Sequence, residues 1–198
     1  MSNAWSFGIC YGGGVKDRIQ TIVDSIEQEK IPEYEILIVG PDIQIPNTIH
    51  YTFNDGGSMP WITRKKNYIG TLAKYPNLCL IHDYFALNQG WFEGFEKFGY
   101  NWDVAMTPIY RVDGSRYLDW LKLLHHEFLD YDNHDHTKEM YISGGYIIIK
   151  TQFLRKHRFN EALYWGQAED VEWSTRINHE WTYRCNTLSS ARLLKDGK

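Results

Sequence analysis

The sequence predicts an α/β fold, a mostly parallel sheet flanked by helices, and three observations carry that prediction. Short apolar runs alternate with longer amphipathic stretches along most of the 198 residues. The first apolar run leads through a glycine turn into a helical pattern, the opening unit of a nucleotide-binding sheet. The composition, 43% hydrophobic and 23% charged, is that of a globular chain with a substantial core, and the length fits one compact domain over residues 1–198.

Residues 5–10 read as the first strand, Gly12-Gly13-Gly14 as a flexible turn, and residues 18–28 as a helix with Ile19, Ile22, Val23 and Ile26 on one face. A second strand over 34–39 ends at Gly40-Pro41-Asp42, a short third covers 48–53, and 62–73 reads as a helix. Residues 78–82 form a buried strand that runs straight into Asp83. A helix over 90–98, a strand over 104–108, a helix over 117–129, a buried strand through Ile147, Ile148 and Ile149, and a late strand over 184–188 complete the order. Strands separated by helical patterns place ligands at the strand C-terminal ends. No internal repeat or low-complexity linker interrupts the chain.

The bulk properties exclude several classes of function. A net charge of −4 and a pI near 6.0 argue against a nucleic-acid groove. No apolar run approaches the ~18 to 20 residues that span a bilayer, and no signal peptide is visible, so a soluble cytoplasmic protein without a transmembrane segment is expected. Cys10, Cys79 and Cys185 are odd in number, far apart and in mostly apolar surroundings, which favours reduced thiols over a disulfide framework. The eight Trp and fourteen Tyr suit stacking on sugar rings and bases, and equally suit an aromatic-packed core.

The densest chemical signal lies between Tyr141 and Trp173. Gly144-Gly145 precede the isoleucine run; Phe159-Asn160-Glu161 follow it, and then Trp165-Gly166 lead to Glu169, Asp170 and Glu172. No Lys or Arg falls between Glu161 and Arg176 to neutralise those carboxylates. At the start of a helix the dipole favours negative charge, so an acidic helix start is one reading, and a general base mounted beside a sugar-sized pocket is the other.

This order of motifs resembles the acceptor half of GT-A glycosyltransferases, including bacterial polysaccharide transferases of the family 2 type and the β-1,4-galactosyltransferases. The resemblance extends more weakly over nearly the whole chain, with residues 1–110 like the nucleotide-sugar half and 111–198 like the acceptor half. It implies an inverting glycosyltransferase that moves a sugar from a nucleoside diphosphate sugar to a saccharide or other hydroxyl acceptor. Asp170 matches the family base, Glu169 the residue that grips an acceptor hydroxyl, and Trp165 offers a ring face to a sugar.

On the donor side the resemblance assigns nucleobase and ribose contacts to the loop around Tyr11 and Gly12, although a glycine trio stands where the family carries bulkier residues. Asp42 stands where the family holds the base, and a turn aspartate would look the same. Arg64, Lys65, Lys66 and Asn67 resemble a donor-binding segment at a helix start, where basic charge is unfavourable unless a phosphate compensates it; a solvated basic face is the other reading. The family metal motif follows the strand at 78–82, and here His82-Asp83-Tyr84 retains one carboxylate. Asp83 is therefore the expected ligand of a divalent ion, Mn²⁺ or Mg²⁺, that would neutralise the diphosphate. One branch of the family completes that site with a distant His; His179, nine positions past Asp170, is expected on the same helix as Asp170. His134-Asp135-His136, with Asp130 and Asp132 before them, lie where the family has a variable acceptor loop, and read as a solvated loop, an acceptor contact or a metal site.

Two rival readings remain at the level of sequence. A GT-A domain reduced to binding a nucleotide or glycan would explain the missing second carboxylate. A nucleotidyltransferase would use Gly12 to Lys16 and Arg18 as its phosphate loop, and would leave Glu169-Asp170 unexplained.

Overall fold

The computed structural model describes residues 3–57, 59–123 and 126–195. Its first half runs β1 (Trp5–Cys10), α1 (Lys16–Glu27), β2 (Tyr34–Gly40), β3 (Ile49–Thr52), α2 (Ile62–Leu72), β4 (Asn77–His82), β5 (Phe85–Leu87), α3 (Trp91–Phe98) and β6 (Val104–Met106). The second half contributes β7 (Ile109–Tyr110), β8 (Leu121–Lys122), β9 (Met140–Tyr141), β10 (Tyr146–Lys150), α4 (Thr151–Lys156), α5 (Glu169–Ile177), β11 (Tyr183–Cys185) and β12 (Ala191–Leu193).

Seven strands form the central sheet in the order β11-β6-β10-β4-β1-β2-β3. β1 pairs in parallel with β2 and β4, while β10 runs antiparallel to both β4 and β6. All residues of β1 and β4 are buried, as strands covered on both faces must be, and this is why they read as continuous apolar runs. The register sets Cys10 beside Val39 on one side and His82 on the other, so three strand C-termini open at one edge. A smaller sheet, β5-β12-β7, and the pair β8-β9 lie outside the main sheet.

The aromatics mostly pack the core. Trp5 stacks edge-on against Trp91 and Phe95 with ring centroids 4.7 and 5.0 Å away, and Trp102, Trp120, Trp173 and Trp181 are buried too. Trp165 is the most exposed of the tryptophans, with 57% of its surface exposed. The three cysteines are free and buried. No described helix is long and apolar enough to cross a membrane.

The helix expected over 117–129 is not formed. β8, a bridge between Leu121 and Phe128, and irregular chain take its place, with residues 124 and 125 outside the described ones. Tyr117, Trp120 and Leu121 imitate a helical period, but the fully buried Asp119 dictates the backbone. Its carboxylate accepts hydrogen bonds from the Ile109 and Trp120 amides, the Arg116 guanidinium and the Tyr131 hydroxyl, a set of donors that a regular helix could not bring to it.

Candidate active site

Two adjoining clefts open at the C-terminal ends of the central strands. The first, about 260 Å³, takes Tyr11 and Gly12 from the end of β1, His82 and Asp83 from the end of β4, and Lys65 from α2. The second, about 320 Å³, takes Gly144 and Gly145 from the turn before β10 and Glu169 and Asp170 from α5. His82, Tyr84 and Trp165 line both.

In the first cleft Asp83 Oδ2 accepts the Gly12 amide at 3.1 Å, and Oδ1 has no partner among the described residues. The Tyr11 hydroxyl closes the glycine loop by donating to Gly14 O at 2.8 Å. Lys65 is buried, and its ammonium reaches Asp55 at 2.8 Å and Tyr11 O at 3.1 Å. Burial, with Lys66, Lys65 and Lys195 nearby, holds His82 well below the usual histidine range, so the ring is neutral. Its Nδ1 lies 3.3 Å from the Tyr84 hydroxyl, while the buried Nε2 has no hydrogen-bond partner. Burial pushes the Cys10 thiol up to about 12, which removes it as a nucleophile.

In the second cleft the Gly144 amide donates to Asp170 Oδ2 at 2.9 Å and the Val171 amide to Oδ1 at 2.9 Å. A Cβ on Gly144 would stand 2.8 Å from that Oδ2, so the approach needs glycine. Burial raises Asp170 above its ordinary carboxylate value and Glu169 adds to the rise, against Lys66 and the two amides. A carboxylate raised in this way is a stronger base at neutral pH than an exposed one. Ala168, just before α5, holds a left-handed backbone at φ 54°, a strained conformation for a residue with a Cβ.

Glu169 corrects the sequence reading. A cation does neutralise one member of the acidic pair: Lys66 Nζ lies 3.1 Å from Glu169 Oε1, with the two side chains 0% and 7% exposed, and it comes from 103 positions away. The positive charge at the start of α2 is thus compensated by Glu169 and Asp55, where a phosphate was expected.

The other residues expected at the donor do not line the clefts. Asn67 is buried, giving its amide hydrogens to Phe159 O and Glu161 and accepting the Phe159 amide, so it stitches α2 to the segment that carries Trp165. Thr63 and Trp61 bind the same segment through Leu163 O and Glu161 O, and Trp165 N donates to Pro60 O at 3.0 Å. Arg64 lies 4.6 Å over the Trp61 ring and faces a separate pocket of about 450 Å³ with Tyr68 and Arg158. The Asp42 carboxylate is exposed, 3.6 Å from His50.

Among the described residues no three His, Cys, Asp or Glu side chains converge to hold a metal. His134 packs edge-on against Trp120, His136 lies 3.5 Å from Glu139, and His179 sits exposed beyond the end of α5. Sequence reading missed Tyr84, Tyr117, Tyr141 and Lys195 as cleft residues, whereas Lys65, read there as part of the donor-binding segment, lines the first cleft. The position of Tyr84 directly after Asp83 was the available signal for it, and Lys195 had none.

No protein-family model matches this chain, and no curated protein does. Solved structures do. S. aureus TarS 1-349 superposes with a TM-score of 0.64 at 14% identity, and its complex with UDP-GlcNAc with 0.65 at 14%. GalNAc-T7 with UDP, GalNAc and Mn²⁺ gives 0.70 at 14% identity. The chain adopts the GT-A fold. These superpositions cover 97%, 98% and 96% of it, but it spans only 59%, 60% and 43% of the matched chains. Likeness at this identity concerns the fold, so the chemistry rests on the clefts.

Proposed function

We propose that the protein is a glycosyltransferase that moves a sugar from a nucleoside diphosphate sugar to a saccharide or other hydroxyl acceptor, with inversion. The observation that carries this reading is the shared wall of His82, Tyr84 and Trp165 between a cleft at Asp83 and a cleft at Asp170. A donor in the first cleft and an acceptor in the second meet at that wall. The bound substrates of TarS and GalNAc-T7, UDP-GlcNAc in one and UDP with GalNAc in the other, are nucleotide and sugar ligands on the same fold.

Asp170 takes the acceptor proton as that oxygen attacks the anomeric carbon and the diphosphate departs with the bonding electrons. Among the described residues only Glu169 and Asp170 bring carboxylates to the acceptor cleft, and Glu169 is held by Lys66, so one base and no second nucleophile favours single displacement. Trp165 covers the junction and stacks on the sugar.

The free Asp83 Oδ1, in the first cleft, fits a divalent cation whose remaining ligands are diphosphate oxygens and water. Bound there, such an ion would offset the charge of the leaving diphosphate. Tyr11 and Gly12 shape the base and ribose end, and Asp83 also pins their loop.

A thermal-shift panel of UDP-, GDP- and other nucleotide sugars, with and without Mn²⁺, followed by proton NMR of the product anomer, tests the reading. A donor that stabilises the fold and yields an inverted glycoside is the expected result. A protein that binds the donor but never releases nucleoside diphosphate would be a binding module, and a retained anomer would overturn single displacement.

A further inference from the structure

Resting on the nucleotide-sugar reading of the first cleft, we propose that Lys195 is the protein's own cation for the donor diphosphate. Three lysines surround the two clefts, and two are committed. Lys65 is bound to Asp55 and Tyr11 O, and Lys66 to Glu169. Lys195 has no carboxylate within 4.0 Å among the described residues; its ammonium rests 4.5 Å from the Tyr84 ring.

The placement is built into the sheet. β12 pairs antiparallel with β5, Ala191 against Leu87 and Leu193 against Phe85. The Leu194 amide donates to Tyr84 O at 2.9 Å and carries that pairing one residue further. The next step of the register sets Lys195 opposite Asp83, and both line the same cleft. Ile62 and Pro60 add apolar lining to the cleft that holds this lysine, and an anion with an apolar or aromatic attachment complements that combination.

In the transfer step the acceptor oxygen bonds to the anomeric carbon as the C–O bond to the diphosphate breaks, the electron pair leaves on the phosphate oxygen, and the acceptor proton goes to Asp170. Lys195 keeps its proton throughout and stabilises the departing oxygen by charge.

Isothermal titration of wild type, Lys195→Met and Lys195→Arg with UDP, GDP, the matching nucleosides and inorganic pyrophosphate tests this. Lys195→Met should weaken the nucleoside diphosphate that the wild type binds by roughly five- to tenfold, leave the nucleoside unchanged and flatten the salt dependence. Lys195→Arg should retain most of the affinity, and all three proteins should unfold alike because the side chain is exposed. Unchanged diphosphate binding by Lys195→Met, or an equal loss for the nucleoside, overturns the assignment. Pyrophosphate binding without any nucleoside diphosphate preference would reduce the site to a plain phosphate site and overturn the donor assignment. If no nucleoside diphosphate binds even the wild type, the nucleotide-sugar reading falls and takes this inference with it.

Discussion

The two clefts share a wall but differ in charge. Beside the Asp83 carboxylate stand a neutral imidazole, a protonated thiol and Lys195, which has no carboxylate within 4.0 Å among the described residues, and this is the side we propose for the donor diphosphate. Across Trp165, Asp170 is a carboxylate raised by burial, and its acidic neighbour is already neutralised, so that side is prepared to receive a proton. Adjacent residues of one helix have thus been given different work: Glu169 holds α5 to α2 through Lys66, and Asp170 is left with two backbone amides. What separates them is which partner each meets, since their residue types are nearly the same.

The largest effect should come from disabling the proton-accepting side alone. Asp170→Asn keeps the shape, and transfer should fall by a factor on the order of 10² to 10⁴ while donor affinity by titration stays near wild type. Comparable rates in the two proteins would remove Asp170 as base. Breaking the link between the clefts acts on the fold instead. Lys66→Met leaves Glu169 buried without its cation and should cost about 3–5 kcal/mol in denaturant unfolding, with part of the loss recovered when Glu169→Gln is added. A double mutant no more stable than the single one would show the pair to be uncoupled.

On the anion side, Asp83→Ala should weaken nucleotide-sugar binding at least about tenfold in Mn²⁺ and hardly at all in EDTA. Equal losses in both conditions would reassign Asp83 to holding the Gly12 loop, a contact it already makes. The smallest change sits in the second cleft: Ala168→Gly relieves a left-handed alanine and should stabilise the fold by about 0.5–1 kcal/mol in the same unfolding assay. A loss of stability there would mean the Cβ contributes packing that outweighs the strain.

Local patterns made much of the fold legible. β1, its glycine turn and α1 follow one another in sequence, so strand, turn and helix could be read without knowing any partner. Gly144 and Asp170 were singled out within one motif-bearing segment, but the hydrogen bond between them was not read from it. What stayed hidden depends on distant partners. Lys66 meets Glu169 across 103 positions, and a charge segment read locally seemed unpaired. β5 and β12 are three residues each and are formed by pairing within the small sheet β5-β12-β7, so neither carries a period of its own, and Lys195 is placed by the β5-β12 pairing. The false helix over 117–129 arose because a buried Asp119 with four donors looks, in sequence, like one more polar position on a helix.

The pH dependence of transfer at saturating donor tests the central claim most directly. Only ionised Asp170 can take the acceptor proton, and burial raises its pKa above the ordinary 3.8, so activity should climb with pH through an apparent pKa above that value. The residual activity of Asp170→Asn should lack that rise. The same acidic limb persisting in Asp170→Asn would place the base elsewhere and contradict the account.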